Sequence, residues 1–382
     1  MPRNQDPIRK ITTMAGEIKY RFVIDMGKRP DGGRDQRCFT FTKYQEARAE
    51  RAKIIAARQS KTLIKPAKAT FDELAQQWLD SRHDVREVTR LGYEYVLKSV
   101  RTELGHLKVQ DLSRTHIERL IKTLRQRGLS HRSIVYALGT IKQVLAYGVS
   151  TSLLATNVAA SVKAPRRAHS DSKPKAVWDP QELLRFRAVA DQDDWAAAWR
   201  LTLCGLRRSE VLGLKWDAVD LVNGEVVVQA GRVLLDGHRT ATDDPKSSAS
   251  RRTVPVEDIQ PGTIALLRAL KARQAADKLR VGVAYIESGY VLVNLIGEPV
   301  RPEAYSDRFA VLCRHAEVPE VGLHDVRHTL ATIMHRAGLA PSDAAALLGH
   351  TVAVHLATYV TPTQKGARAA ASGLGAAISE AM

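Results

Sequence analysis

Three side chains able to act on a phosphate group occur together in a predicted helix after Gly322. A helix over residues 324–336 places His324, Arg327 and His328 on one side, because residues three and four apart are helical neighbours. The apolar residues of the same stretch fall on the opposite face. Imidazole and guanidinium groups donate hydrogen bonds to phosphoryl oxygens. The spacing therefore predicts a polar cluster to which a phosphate group could bind.

A second polar set follows this helix. A short Ala/Leu-rich helix is predicted to begin at Pro341 and to end at Gly349, because glycine commonly follows a helix C-terminus. His350 comes next, and Tyr359 lies nine positions further on. Three short helices would thus bring two imidazoles, a guanidinium and a phenol to one place. This set suits the attack of a tyrosine on a phosphate ester and does not call for a metal ion.

The blocks HDVRHT and LLGH, with a tyrosine nine positions after the last histidine, resemble the C-terminal half of a family signature. The family is that of the tyrosine recombinases (phage integrases), of the lambda-integrase-like type. Its upstream half is an arginine on a tight turn, and CGLRRSEVLGL supplies Arg207 there. Arg208 is adjacent, but the motif favours Arg207. The separate blocks occur in the family's order at plausible spacings, so the resemblance is specific.

The resemblance assigns a role to each residue of this set. Catalytic roles would fall to Arg207, Lys246, His324, Arg327, His350 and the nucleophile Tyr359. Glu210 would support Arg207 from behind, and His328 would be a structural hydrogen-bonding residue. The remaining histidines near the site are expected to be structural, namely His315, His335 and His355.

The residue types fit these roles chemically. A guanidinium contacts two phosphoryl oxygens at once and does not deprotonate, so Arg207 and Arg327 would hold the charge of a five-coordinate phosphorane. His324 would transfer a proton or donate a hydrogen bond, and His350 would donate to a non-bridging oxygen. Lys246, in a predicted turn between two paired strands, would protonate the departing 5′ oxygen. The alternative role for Lys246 is phosphate binding alone.

Residues 1–66 are predicted to form a small β-sheet followed by a helix over residues 44–59, with a net charge of +9. This arrangement resembles the arm-type DNA-binding domain at the N-terminus of many phage integrases. The expected groove or phosphate contacts are Lys19, Arg21, Arg34 and Arg37.

Residues 67–165 are predicted to form four helices, with a net charge of +6. Thr70 and Glu73 have the spacing of a capping box, and an apolar stripe follows from Phe71 to Leu79. The pattern itself predicts a helical bundle. Its resemblance to the core-binding (SAM-like) domain of the same family implies that it contacts DNA. The basic residues expected on its polar faces are Arg125, Arg127, His131, Arg132 and Lys142.

Residues 166–178 are too polar to pack and are predicted to be a basic interdomain linker, with a net charge of +3. Arg166 and Arg167 are further expected DNA contacts. The whole chain is therefore predicted to be multidomain and mostly α with small β-sheets. An N-terminal sheet-plus-helix domain, a four-helix core-binding domain and a mixed α+β catalytic domain would follow one another.

Residues 179–382 would form the tyrosine recombinase catalytic domain and its C-terminal tail, with a net charge of −1. We expect a mostly helical domain with one small sheet and a short strand over residues 290–294. The turn DDPKSSAS would join two paired strands. The Ala-rich tail has little apolar bulk, so it is expected to dock on a neighbouring protomer.

The composition is that of a basic globular protein, a class that includes ribosomal and other soluble proteins as well as DNA-binding ones. The net charge is +17 in 382 residues and lies in the first half, which indicates a polyanionic partner. Hydrophobic residues make up 44% and no apolar run is long enough for a membrane span. Three widely spaced cysteines are expected to be free thiols and show no metal-ligand spacing.

The family resemblance implies a site-specific recombinase that integrates and excises a phage or other mobile element at attachment sites. Cleavage would proceed through a 3′-phosphotyrosyl intermediate and exchange through a Holliday junction, without ATP, metal or another cofactor. The implied partners are double-stranded DNA with core-type and arm-type sites, a homotetramer on that DNA, a DNA-bending host factor and a directionality factor. The expected location is the bacterial cytoplasm, at the nucleoid.

Three other functions use some of the same features. A metal hydrolase could use the histidines, but His324 and His328 lack the glutamate of a zincin motif. A type IB topoisomerase would use the same tyrosine chemistry, although the basic N-terminal part suits site-specific exchange better. A non-catalytic DNA-binding regulator is the alternative outside enzymology, and the complete catalytic set argues against it.

Overall fold

The computed structural model describes residues 7–14, 16–28, 33–59, 67–166, 177–235, 239–243 and 251–359, and a few isolated positions after residue 367. At some residues within these ranges, Thr358 and Tyr359 among them, only the backbone is described. Internal contacts divide the chain into two compact units, Met1–Ser172 and Lys173–Met382. No helix in the described part combines the length and the apolar character that a membrane span needs.

The first unit begins with a three-stranded antiparallel sheet in the order β1-β2-β3, made of β1 (Arg9–Thr12), β2 (Ile18–Lys28) and β3 (Arg34–Phe41). Helix α1 (Tyr44–Gln59) packs on it. Phe22 is buried at the centre, with ring centroids 5.2 Å from Phe39 and 5.9 Å from Phe41. Alternation along β2 and β3 therefore places one apolar face under α1, as the sequence predicts for a sheet-plus-helix part.

Four helices follow in the same unit, namely α2 (Phe71–Asp80), α3 (Glu87–Leu104), α4 (Arg114–Gln126) and α5 (His131–Ser150). The predicted capping box is confirmed, because Thr70 Oγ1 accepts from Glu73 N and Thr70 N donates to Glu73 Oε2. The predicted apolar stripe is confirmed as well, since all five of its residues are buried in the core of these helices. The fourfold division of the chain at residues 66, 165 and 178 stays a prediction. The prediction that residues 166–178 do not pack is wrong at Trp178, which is 2% exposed and belongs to the core of the second unit, because its large apolar ring outweighs the polar residues before it.

The second unit is mostly helical. Its helices are α6 (Pro180–Ala190), α7 (Ala196–Leu203), α8 (Arg208–Gly213), α9 (Val256–Ile259), α10 (Thr263–Val281), α11 (Pro302–His315), α12 (Leu323–Arg336), α13 (Pro341–Leu348) and α14 (Val352–Tyr359). The core is built around Trp199 and Tyr305, whose ring centroids lie 4.2 Å apart. Cys204 and Cys313 are buried free thiols, and Cys38 of the first unit is an exposed one.

The strands of the second unit correct three predictions. Strands β4 (Val219–Asp220), β5 (Glu225–Val228) and β8 (Arg252–Val254) form one antiparallel sheet, while β6 (Gly231–Leu234) pairs with β7 (Thr240–Asp243) in another, so the prediction of a single sheet is wrong. Among the described residues, the strands on either side of the predicted turn are not paired with each other, because β7 pairs with β6 and β8 with β5. Residues 290–294 make isolated bridges rather than a strand.

Candidate active site

Arg207 lies on the turn between α7 and α8, as the sequence predicts, and caps α8 together with Glu210. Its Nη1 donates to Glu210 Oε1 at 2.5 Å, and its backbone N–H donates to Glu210 Oε2 at 2.8 Å. Its Nη2 donates to the carbonyl of Gly349 at 2.7 Å. Arg208 is turned elsewhere, with Nη1 on Ser306 Oγ at 2.7 Å. The structure therefore joins Arg207, and not its neighbour, to the segment just before His350.

Arg327 connects the same two segments from α12. It is 2% exposed, and its Nη1 donates to the Gly205 carbonyl at 2.8 Å while Nη2 lies 3.1 Å from His350 Nδ1. Gly205 has φ +88°, and a Cβ there would lie 2.7 Å from Leu348, so this turn requires glycine. Each of the two arginines thus spans the Gly205–Arg207 turn and the residues that follow α13.

His350 is hydrogen-bonded through both ring nitrogens. A guanidinium only donates, so Nδ1 of His350 accepts from Arg327 and the proton of the neutral ring is on Nε2. Nε2 lies 3.1 Å from Nδ1 of His355, which is the acceptor for that proton, and the two rings are stacked. Burial, aided by the neighbouring positive charge of Arg327, lowers the pKa of His350 to about 4. His350 is therefore a neutral imidazole around pH 7.

His324 and His328 occupy different environments on α12. His324 lines an open cleft that Arg207 also lines. His328 is 4% exposed, lies edge-on to His324 with ring centroids 4.9 Å apart, and has Nε2 3.9 Å from Asp325 Oδ1. The burial of His328 fits the structural role expected for it, and the placing of His324 fits contact with a ligand in the cleft.

Two members of the predicted catalytic set are described incompletely or not at all. Lys246 lies outside the described residues, as does Arg167 of the predicted linker. Tyr359 is the last residue of α14, and its side chain lies outside the described part. In the parts that the structure does describe, His, Cys, Asp and Glu side chains form no cluster of three suited to a metal ion.

Two further residues of the site have no predicted catalytic role. Arg252, on β8, donates from Nη2 to Glu210 Oε2 at 2.9 Å and from Nη1 to Glu210 Oε1 at 3.2 Å. His355 is 1% exposed and hydrogen-bonded to His350, which fits the structural role expected for it. The pairing of β8 with β5 could have pointed to Arg252, because it carries the strand toward α8, but the sequence has no pattern that fixes this pairing.

The basic residues predicted to contact DNA in the first unit lie on its surface, some with partners in the protein. Lys19 Nζ is 3.1 Å from Glu17, Arg21 Nε is 3.4 Å from Thr40 Oγ1, and Arg34 is exposed at the start of β3. Partly buried Arg37 is on the same strand. Contact of these residues with DNA stays a prediction.

The predicted contacts of the helical part are similarly placed. Arg127 pairs with Glu103 at 2.5 Å, His131 is 2.9 Å from the Pro165 carbonyl, and Lys142 donates to the Ala160 carbonyl at 3.2 Å. The other two, Arg125 and Arg132, are exposed, as is Arg166 at the start of the predicted linker. An exposed arginine keeps its hydrogen-bond donors accessible to a phosphate.

Comparison with known proteins identifies two matching domains. Residues 181–365 match the Phage integrase family, and residues 70–125 match the phage integrase N-terminal SAM-like domain. A tyrosine recombinase XerC-like protein of Caldanaerobacter subterraneus subsp. tengcongensis is 25% identical over 92% of this chain and 94% of its own length. The ICEBs1 integrase of Bacillus subtilis is 26% identical over 64% of this chain and 63% of its own length.

Solved structures agree at the level of the fold. A Tn1549 transposon integrase in complex with transposon right end DNA has a TM-score of 0.67, at 21% identity over 80% of this chain and 99% of that one. A lambda integrase tetramer bound to a Holliday junction has a TM-score of 0.54, at 14% identity over 95% of this chain and 98% of that one. With its integrase-family and SAM-like domains in this order, the chain belongs to the phage integrase family of tyrosine recombinases, enzymes that cleave and rejoin DNA.

Proposed function

We propose that this enzyme cleaves one DNA strand by attack of Tyr359 on a backbone phosphate, leaving a 3′-phosphotyrosyl link and a free 5′ hydroxyl. The observation that carries the proposal is the shared anchoring of Arg207 and Arg327. Both guanidinium groups are hydrogen-bonded to the Gly205–Arg207 turn or to the residues after α13, and Arg207 lines the open cleft. A fixed cation on the cleft, with a second cation anchored to the same turn, suits a phosphoryl group that gains negative charge as it reacts.

The roles of the surrounding residues follow from their chemistry. Arg207 and Arg327 would hold the non-bridging oxygens of the reacting phosphate, and Glu210 would fix the first of them. The neutral imidazole of His350 carries its proton on Nε2 and so can act as a donor to a phosphoryl oxygen. His324, on the cleft, would transfer a proton or donate a hydrogen bond.

Lys246 would protonate the departing 5′ oxygen. A lysine ammonium can give up a proton more readily than an arginine guanidinium, which makes it the better acid for this step. His328 would hold the ring of His324 in place from its buried position beside it. No step in this scheme requires a metal ion or ATP, because the phosphotyrosyl link retains the energy of the broken ester.

On the scale of the whole protein, we propose integration and excision of a phage or other mobile element at paired attachment sites, through a Holliday junction in a DNA-bound homotetramer. Support comes from the fold shared with the lambda integrase tetramer bound to a Holliday junction. The N-terminal sheet would bind arm-type sites and the four helices core-type sites. A DNA-bending host factor and a directionality factor would assist, in the bacterial cytoplasm at the nucleoid.

The test uses the full-length protein and DNA from the junctions of the element beside its gene. A duplex nicked near the cleavage site traps the covalent complex, because the short 5′-hydroxyl fragment diffuses away. We expect wild-type protein to form this adduct equally in buffer and in EDTA, and mass spectrometry to locate the linkage at Tyr359. Tyr359→Phe should retain DNA binding and form no adduct.

The outcomes that count against the proposal are equally clear. An adduct that survives the Tyr359→Phe change would show that another residue is the nucleophile. Loss of activity in EDTA would favour metal-dependent hydrolysis instead. Relaxation of any supercoiled plasmid, without need for a junction sequence, would favour a topoisomerase.

A further inference from the structure

Arg252 is a buried arginine that shares the carboxylate of Glu210 with Arg207. Both of its terminal nitrogens contact Glu210, at 2.9 and 3.2 Å, in the forked geometry of an arginine–carboxylate pair. Its Nε donates to the carbonyl of Leu347 at 2.8 Å. Arg252 therefore joins β8 to the first turn of α8 and to the last turn of α13, from which Arg207 and His350 are presented.

The two arginines on this carboxylate differ in exposure. The side chain of Arg207 is 30% exposed and lines the cleft, whereas that of Arg252 is 7% exposed and is not among the described residues lining it. A ligand in the cleft can thus reach Arg207, while Arg252 lies behind it. Of the two arginines on Glu210, Arg207 is thus the one that lines the cleft, and Arg252 contacts the carboxylate that orients it.

Gly349 makes room for Arg252. Its φ is +64°, and a Cβ at this position would lie 2.7 Å from Arg252 Nη1. The backbone that accepts the hydrogen bond of Arg207 is therefore also the backbone against which Arg252 packs. A displacement of Arg252 would move the carboxylate and the carbonyl that together orient Arg207.

The charges of the three side chains also connect Arg252 to Arg207. Two guanidinium groups and one carboxylate leave a net positive charge, whereas Arg207 and Glu210 alone would form a neutral pair. Because Arg252 takes up much of the carboxylate's charge, the field of Arg207 at a phosphate in the cleft is less compensated. We propose that Arg252 is a positioning residue, an inference that rests on the proposed function. It would fix Arg207 through Glu210 and so preserve the positive field of Arg207 at the reacting phosphate.

The test compares Arg252→Met, which removes charge and fork, with Arg252→Lys, which keeps the charge. The matched control is Arg200→Met, because Arg200 is another buried arginine of the same unit, paired through Nε and Nη2 with Asp191 at 2.6 Å. Each variant is first checked for folding by its thermal transition and for affinity to junction DNA. Adduct formation on the nicked duplex is then timed.

We expect Arg252→Met to bind DNA as the wild type does but to form the adduct about 10- to 100-fold more slowly, since a small misplacement of a catalytic group has this effect. The rate of adduct formation should fall less in Arg252→Lys, and Arg200→Met should react at the wild-type rate. The decisive substrate carries a methylphosphonate at the cleavage site, which has one negative charge fewer than the phosphodiester for Arg207 to hold, both before and during the reaction. The relative defect of Arg252→Met should shrink on it about tenfold, because the lost effect is electrostatic.

Three results would overturn the inference. They are an Arg252→Met rate equal to that of the wild type, the same relative defect on the charged and neutral substrates, and a loss in Arg200→Met as large as that in Arg252→Met. The last two would assign Arg252 to stability alone. A wild-type protein that forms no adduct at all would instead overturn the proposed function, and the role of Arg252 with it.

Discussion

Glu210 is the buried anion on which the arginine network depends, so its neutralisation should have a large effect on stability. Glu210→Gln keeps the size of the side chain but leaves two guanidinium groups without their counter-charge. The Glu210 and Arg252 side chains are each 7% exposed, and that of Arg207 is 30% exposed. Breaking a buried pair costs about 3–5 kcal/mol. Because Arg207 is partly hydrated and glutamine retains one acceptor oxygen, we expect a loss of about 3 kcal/mol.

This loss can be measured by urea unfolding at pH 7, followed by tryptophan fluorescence. Four of the five tryptophans belong to the second unit, so the fluorescence reports mainly on the unit that contains Glu210; they are Trp178, Trp195, Trp199 and Trp216. With a urea dependence of about 3 kcal/mol per molar for a unit of this size, the midpoint should fall by about 1 M.

The pH dependence gives a second measure. Burial alone would raise the pKa of Glu210, but the hydrogen bond and charge of Arg252, with Arg207, lower it below its ordinary value. A lowered carboxylate pKa stabilises the fold above the unfolded-state value of about 4.3, and this stability is lost as the pH falls below it. The difference in the free energy of unfolding between the wild type and Glu210→Gln should therefore become smaller as the pH is lowered below about 4.3.

The control is Glu287→Gln, which makes the same change in an exposed pair with Lys278. It should alter the free energy of unfolding by only about 0–1 kcal/mol, as surface pairs do. If Glu210→Gln were no more destabilising than Glu287→Gln, the carboxylate would not be acting as a buried anion, and the reasoning about the network would be refuted.

Two further predictions concern the residues after α13. Gly349→Ala should lower both stability and the adduct-formation rate, because a Cβ would lie 2.7 Å from Arg252, whereas Gly338→Ala, also at positive φ but with nothing within 4 Å, should cost only the backbone strain of about 1 kcal/mol; equal losses in urea unfolding would contradict this. The pKa of His350, about 4 in the folded protein, lies below the unfolded value of about 6.5, so the stability it contributes is present above pH 6.5 and lost toward pH 4, on the order of 1 kcal/mol for a partly exposed ring. An NMR titration in which His350 became protonated near pH 6.5 in the folded protein would contradict the lowered pKa.

Local patterns predicted most of the helices of the fold because the physics that fixes them is local. The capping box at Thr70 and the glycine end of α13 each depend on a few neighbouring residues, and the structure confirms both. The domain comparisons likewise agree with the family resemblance carried by residues 207 and 322–359.

The pairing of strands was not predictable in the same way. The segment after β7 has Pro and Ser in the pattern of a turn, so the sequence favoured a hairpin of adjacent strands. In the structure β8 pairs instead with β5, where Val226 and Val254 lie opposite each other and are buried. This choice depends on packing between residues far apart in the sequence. The pairing of β8 with β5 also brings Arg252 to Glu210, so a sequence analysis that paired β8 differently could not place Arg252 in the site.

The contact between His350 and His355 has a consequence for the helix that ends at Tyr359. The neutral His350 ring has one hydrogen to donate, on Nε2, and this hydrogen is directed to His355 of α14. A phosphoryl oxygen that accepted this hydrogen bond would have to replace His355 Nδ1 as the acceptor. The same N–H of His350 can therefore donate either to a ligand or to His355, so binding of a ligand by His350 would break its hydrogen bond to α14.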